Sequence, residues 1–430
     1  MTPQNSQRQR MVIIGGGFAG LNFAKKIDKK AWEVILVDTN NFHSFPPLFY
    51  QIASSGLDPG SISFPFRREM RKGSVRGCRY HIGEVKTVNV AEKWVETQYE
   101  RIPYNSLVIA GGTTNNFFGN DELLKRVFTL KSAAEAIRLR NEVLDRLERA
   151  SICTDPEERK RLLSFVVIGG GPTGVEVAGA LGEMKRYILK REYPEISVDD
   201  VHIILLEGTD RLLRTMSEES SAHALEYLGH LMVEVRLGTL MDSYEDNVVT
   251  LRDGGKIYSE TVVWTAGVTG VPFSMTGTDV KRGPGARFLT DEYNRVKGLT
   301  DVYAIGDISL IIDDEHPKGH PQLAQVAIQQ AHNLARNINA GSFTRPFKYV
   351  DKGSMATVGR NRAVADLKHI HLYGRPAWVT WMFVHLISIL GMRNKLTVFI
   401  NWIWAYFTYS TSLRLLMHPN RYPLRRRWGE

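Results

Sequence analysis

At 430 residues the chain exceeds one ordinary hydrophobic core and suits two or three domains of roughly 100–200 residues each. Its 43% hydrophobic and 23% charged residues argue against wholesale disorder and a polytopic membrane protein, and two cysteines without a CxxC pair argue against a disulfide framework, a structural zinc site and a dithiol redox centre. The net charge of +9 gathers at one end, where seven basic residues between 391 and 430 face Glu430 alone, beside Trp378, Trp381, Trp402, Trp404 and Trp428. Aromatic and basic residues together suit an anionic membrane surface; no nucleic-acid-binding motif appears.

In chain order, the polar residues 1–10 show no secretory h-region, so a cytoplasmic protein is expected. An apolar run at 11–14 opens into Gly15-Gly16-Gly17-Phe18-Ala19-Gly20 and a helix through Lys26, and a second run at 34–37 ends in Asp38. Alternating runs at 85–90 and 94–99 follow, then a strand at 106–110 ending in Gly111-Gly112 and a polar helix at 132–150. The opening unit then recurs: a strand at 165–168, Gly169-Gly170-Gly171-Pro172-Thr173-Gly174, a helix to about Leu189, an insertion at 191–200, and a strand at 201–206 ending in Glu207. Buried-strand patterns at 261–265 and 302–305 stop at Ala266-Gly267 and Gly306-Asp307, and a helix is predicted over 322–338. Residues 341–359 carry the chain into two weakly polar stretches, 378–392 and 396–413. The first is short of the roughly 20 residues a spanning helix needs, and Asn401 and several hydroxyl residues interrupt the second. Both read as helices lying in a membrane interface, anchored by tryptophans and arginines, with a dimerisation surface or a true span as the alternatives.

A GxGxxG turn works because its first glycine permits a tight turn, its second lets a pyrophosphate approach the backbone, and its third lets helix pack on strand. The helix N-terminus then meets the phosphate charge with free N–H groups. One copy alone is weak evidence. Here the turn follows a strand, opens a helix and is answered by an acid ending the next strand, twice, which predicts an α/β chain with two Rossmann-like dinucleotide-binding units. Asp38 and Glu207 stand where a carboxylate accepts both hydroxyls of an adenosine ribose. A carboxylate there repels a 2′-phosphate, so Glu207 favours NADH over NADPH; Arg211 and Arg214 weaken that inference, and a solvated strand-end acid is the alternative. Two dinucleotide sites without a separate substrate domain suggest that one dinucleotide reduces the other.

The run Thr300-Asp301-Val302-Tyr303-Ala304-Ile305-Gly306-Asp307 resembles the T-x-x-Y-A-x-G-D element of two-dinucleotide flavoprotein reductases, in which the aspartate contacts FAD. A helix N-cap is the local alternative for Asp307. Adding the run from His43 to Gln51 (HSFPPLFYQ), the GGGPTGVE of Gly169 to Glu176, Ala324-Gln325-Val326-Ala327-Ile328-Gln329 and the aromatic basic tail, the chain from Met11 onward resembles the type II NADH dehydrogenases, which are single-subunit NADH:quinone oxidoreductases. That resemblance implies non-covalent FAD, NADH, no active-site cysteines and a peripheral seat on the membrane. The FAD residues it points to are Gly15, Gly16, Gly17, Phe18, Ala19, Gly20, Asp38, Thr39, Val85, Ala110, Gly111, Asp307, Ala324 and Gln325; those for NADH are Gly169, Gly171, Gly174, Glu207, Ala266 and Gly267. Gln325 and Gln329, at i and i+4 on one helical face, match the family's AQ-x-A-x-Q element, whose amides would hydrogen-bond a quinone carbonyl. Glu176 becomes a candidate for positioning quinone or relaying a proton, the alternative being a first-turn acid stabilised by the helix dipole. Thr113 and Thr114 carry lower weight. His81, His202, His223 and His230 show no metal-ligand spacing, and no metal is expected.

The expected function is non-proton-pumping NADH:quinone oxidoreduction, with hydride passing from NADH to FAD and two electrons onward to menaquinone or ubiquinone. The expected place is the cytoplasmic face of the cell membrane, held peripherally by the C-terminal region, with a homodimer left open. The alternatives are an NADH-dependent flavoprotein reductase of a small electron-transfer protein and a non-catalytic flavoprotein binding module. Expected domains are FAD-binding (1–112 and 291–340), a linker helix region (113–163), NADH-binding (164–290) and membrane-anchoring (341–430).

Overall fold

Strands that are apolar at almost every position need cover on both faces, which parallel sheets flanked by helices supply. The computed structural model describes residues 8–73, 75–408 and 413–416. Within these, one unit comprises the chain up to Ser44, Ser63–Asn116 and Val268–Lys352, and the other Phe45–Ile62, Phe117–Gly267 and the chain from Gly353. A parallel sheet lies at the heart of each.

The first unit's sheet has the strand order Val302–Ala304, Ser106–Ile109, Gln9–Ile14, Trp32–Asp38, Arg79–Ile82. The register Ile14↔Val37 brings the first glycine to the neighbouring strand's end, and the Gly15 N–H donates to the Val37 carbonyl at 2.8 Å. Val12, Ile14, Ile35, Val37, Leu107 and Ile109 form a core with Val88, Val95 and Ile102 of a second sheet, Ser274–Thr276, Val85–Asn89, Trp94–Thr97 and Arg101–Pro103. The helix Phe18–Lys26, following the glycine turn, packs against the helix Ala324–Asn339.

The second unit repeats the plan with the order Val233–Arg236, His202–Leu206, Ser164–Ile168, Thr261–Trp264. Ile168 pairs with Leu206, and the Gly169 N–H donates to the Leu206 carbonyl at 2.8 Å. The polar helix is Ala133–Ile152, capped where the Ser132 hydroxyl accepts from the Glu135 N–H. An antiparallel sheet, Ser354–Thr357, Ala363–Leu367 and Ile370–Tyr373, was not predicted; small and hydroxyl-bearing residues hide the period of two in its first strand, and the other two strands are only five and four residues long.

That sheet leads into helices Gly374–Ser388 and Met392–Thr408. Both start four residues earlier than predicted, and Arg375 and Arg393 sit exposed in their first turns. Trp381, expected as an interface anchor, is instead core: only 1% exposed, its ring packs on Tyr50, His385 and Trp402. Trp404, at 63%, remains exposed. Among the described residues no helix is long and apolar enough to cross a membrane. The end of the second predicted stretch (409–412), Trp428 and the arginines at 421 and 425–427 lie outside the described residues.

Candidate functional site

The first glycine turn owes its shape to close approaches that a side chain would prevent. Gly15 holds φ +95°, and a Cβ on it would meet the Ala110 carbonyl; one on Gly20 would run into the Gly15 carbonyl oxygen. Gly17 has open space where its Cβ would be, directly at the helix N-terminus, which fits an approaching pyrophosphate. The Gly16 N–H donates to Asp38 Oδ2 at 2.6 Å and the Asn40 N–H to Oδ1 at 2.7 Å, so the carboxylate is held beside the turn. Burial raises the Asp38 pKa, while the Asn40 and Gly16 N–H groups pull it back. Thr39 Oγ1 accepts from the Asn40 amide at 3.2 Å; Val85 belongs to the core. The Gly306–Asp307 turn reaches the same helix. Gly306, at φ +75°, would place a Cβ 3.0 Å from that of Ala19, and its N–H donates to the buried Gln330 Oε1 at 2.7 Å. Thr113 Oγ1 donates to Asp307 Oδ2 at 3.5 Å, and Gln322 Nε2 to the Asp307 carbonyl at 3.0 Å. Gly111 lies against Val271.

The second turn has the same construction. Gly169 holds φ +108°, a Cβ on Gly174 would strike the Gly169 carbonyl, and Gly171 is open at the N-terminus of Pro172–Glu183. The Gly170 N–H donates to Glu207 Oε2 at 2.5 Å, while Oε1 accepts from the Thr209 N–H and hydroxyl, each at 2.8 Å. Arg211 is turned onto its own loop, donating to the Met216 and Arg214 carbonyls at 3.2 and 3.1 Å. The Ala266 backbone lies beside Gly169, and Gly267 follows at φ +75°.

In the first unit Gln325 and Gln329 occupy one face of the helix that Ala324 opens. Their amides grip the segment 350–352: Gln329 Nε2 donates to the Val350 carbonyl at 2.9 Å and its Oε1 accepts from the Val350 N–H at 3.0 Å, while Gln325 Oε1 accepts from the Lys352 N–H at 2.9 Å. Gln325 Nε2 also donates to Asp351 Oδ1 at 3.4 Å.

In the second unit Glu176 is buried, 9% exposed, and burial raises its pKa to about 8, relieved only in part by the Thr357 backbone. Tyr50 faces it. The Tyr50 hydroxyl accepts from Gln51 Nε2 at 2.9 Å, and Gln51 Oε1 accepts from Trp402 Nε1 at 2.9 Å. A line of polar groups thus joins the second aromatic helix to Tyr50, beside a carboxyl group that is largely protonated at neutral pH.

Residues 9–331 match the pyridine nucleotide-disulphide oxidoreductase family and residues 352–408 the NDH2 C-terminal domain. The type II NADH:quinone oxidoreductase Ndh of Mycobacterium tuberculosis is 34% identical over 95% of this chain and 90% of its own length. The chain belongs to the type II NADH:quinone oxidoreductases. The NdhA protein of the same organism is 32% identical over 92% of this chain and 86% of its own. In fold, the chain is similar to NDH2 of Plasmodium falciparum solved with NADH, at TM-score 0.87, 22% identity, and coverage of 96% of this chain and 100% of that one.

This type II oxidoreductase carries no disulfide among its described residues: Cys78 is buried and Cys153 partly buried, both as free thiols. Sequence reasoning passed over His43, whose Nδ1 donates to the Gly16 carbonyl at 2.9 Å and whose ring meets Phe18 edge-on at 5.6 Å. Burial lowers its pKa to about 4, so it packs as a neutral imidazole. It lay within the HSFPPLFYQ run without a spacing that marked it. Gln330 and Tyr50 were missed for the same reason: their partners come from distant segments.

Proposed function

We infer that this chain catalyses NADH:quinone oxidoreduction without pumping protons, with FAD in the first unit's cradle and NADH in the second's. The observation that carries the reading is the pair of matched cradles, each with an open glycine at a helix N-terminus and a carboxylate tied to the preceding glycine's N–H. When bound, FAD supplies the two-electron chemistry between NADH and quinone. Gly15, Gly17, Gly20 and Asp38 hold its adenosine diphosphate, and Asp307, brought to Ala19 by Gly306, meets its ribityl and pyrophosphate part. Thr39, Val85, Ala110, Gly111, Ala324 and Gln325 complete that set. Gly169, Gly171 and Gly174 hold the NADH pyrophosphate, with Ala266 and Gly267 alongside; Glu207 takes the ribose hydroxyls and disfavours a 2′-phosphate. The engagement of Arg211 with its own loop supports that preference.

Gln325 and Gln329, on one helical face, hydrogen-bond a quinone carbonyl while fixing 350–352. Glu176, kept protonated by burial, supplies or relays a proton to the reduced quinone. The quinone is menaquinone or ubiquinone. The enzyme is peripheral on the cytoplasmic face of the cell membrane, its attachment, though not the side, supported by the outward Phe383, Ile387, Phe399, Ile400, Ile403 and Trp404 of the two C-terminal helices. Anaerobic mixing with NADH should bleach the flavin, and a short-chain quinone should restore its colour at a rate matching turnover. A colourless protein, or a reduced flavin that quinone does not reoxidise, overturns the assignment.

A further inference from the structure

We propose that Asp313, His316 and His320 form a transition-metal site of the zinc type in the loop between Ser309–Leu310 and Ala324–Asn339. Sequence reading of the other histidines passed over this D-x-x-H-x-x-x-H spacing. The loop folds so that one ligand atom from each residue lies within 4.8 Å of the others. Asp313 Oδ1 is 3.0 Å from His316 Nδ1, and Oδ2 is 3.1 Å from His320 Nε2. A tetrahedral ion with bonds of roughly 2.0–2.2 Å needs its ligands roughly 3.3–3.6 Å apart, so the two Asp313–histidine separations would open by a few tenths of an ångström and the wider spacing of the cluster would close.

His320 is itself buried. Its side chain is 3% exposed, and apart from Asp313 Oδ2, 3.1 Å from Nε2, its ring nitrogens have no hydrogen-bond partner. A buried imidazole whose Nδ1 has no hydrogen-bond partner is costly unless something else satisfies it. The rest of its surroundings is aromatic: Phe347 at 5.2 Å, Tyr349 at 5.8 Å and the His316 ring at 4.2 Å. Two imidazoles and one carboxylate select a zinc-like ion over calcium or magnesium. Asp313, 40% exposed, leaves a position for water.

The loop is held from behind, Arg287 donating to the His320 and Lys318 carbonyls at 3.3 and 3.2 Å, so that cation is engaged with backbone oxygens. Two residues beyond His320, Gln322 holds the Asp307 carbonyl; Tyr349, packed on His320, donates to Asp351 Oδ1 at 3.1 Å, which in turn accepts from Gln325 at 3.4 Å. An ion at the three ligands would therefore brace the loop that supports both residues.

The test uses the tag-free holoenzyme, stripped with a chelator and titrated with Zn²⁺ by calorimetry and with Co²⁺ by difference spectra against the flavin absorbance. Asp313→Asn and His316→Asn, at accessible positions, are compared at equal flavin content; neither requires replacing the buried His320. The expected result is one tight ion per chain, a zinc-dependent rise in Tm, and affinity at least about tenfold weaker in each variant. Absence of tight binding in the parent, or parental affinity in either variant, overturns the site.

Discussion

Asp38 and Glu207 solve one problem in two distant stretches of chain: each uses one carboxylate oxygen to receive the N–H of Gly16 or Gly170 and leaves lone pairs for a ribose. Glu207→Gln keeps an acceptor for Gly170 but removes the charge. Steady-state assays should show KM for NADH rising about tenfold, the scale of one charge-assisted hydrogen bond, and NADPH gaining relative to NADH; an unchanged ratio would remove Glu207 from the ribose. Glu176 has the opposite character. It titrates at about 8 in the fold against an ordinary 4.5, so the native state keeps a proton across that window. Its contribution to stability is full below about pH 4.5 and is lost as the pH rises through 8. Glu176→Gln should abolish that part of the pH dependence of Tm and flatten the alkaline limb of quinone reduction near pH 8, while flavin bleaching by NADH is unaffected.

The helix Ala324–Asn339 shows how an element serves on two faces. Its buried face, Val326, Ala327, Ala331 and Leu334, packs inward, and its half-buried glutamines bind the backbone of 350–352. Gln329→Ala removes two hydrogen bonds worth roughly 1 kcal/mol each and should slow flavin reoxidation by quinone on the order of tenfold, with a smaller effect on bleaching by NADH in stopped flow. Equal slowing of both half-reactions would leave Gln329 a purely structural role. The helices Gly374–Ser388 and Met392–Thr408 are likewise divided: Trp381 and Val398 are core, while Phe383 and Ile400 are more than 60% exposed. Removing both helices would strip Trp381 from the packing around Tyr50, so substitution on the outer face is the cleaner test. Phe383→Ser with Ile400→Ser should release the enzyme from vesicles in a flotation assay without loss of bound flavin; undiminished flotation would refute the anchor.

At the scale of the whole molecule, a net charge of +9 gathered toward the aromatic C-terminal region makes binding to anionic vesicles sensitive to salt, since exposed charges are screened beyond roughly 10 Å at 0.1 M. Affinity for anionic vesicles should fall steeply between low and physiological salt, leaving a residual apolar component; insensitivity to salt would assign attachment to the exposed apolar side chains alone. The two cradles, their closing acids and the Gly306–Asp307 turn were legible in the sequence because a glycine turn is a local device, where backbone angle and the exclusion of one Cβ are settled by neighbours a few residues away or one strand over. The sheet at 354–373, the burial of Trp381, the partners of the glutamine amides and the raised pKa of Glu176 were decided only by the tertiary structure. Burial and hydrogen-bond satisfaction depend on which distant segments pack against a side chain, and Tyr50, Thr357 and Trp402 reach the neighbourhood of Glu176 from parts of the sequence that carry no sign of one another.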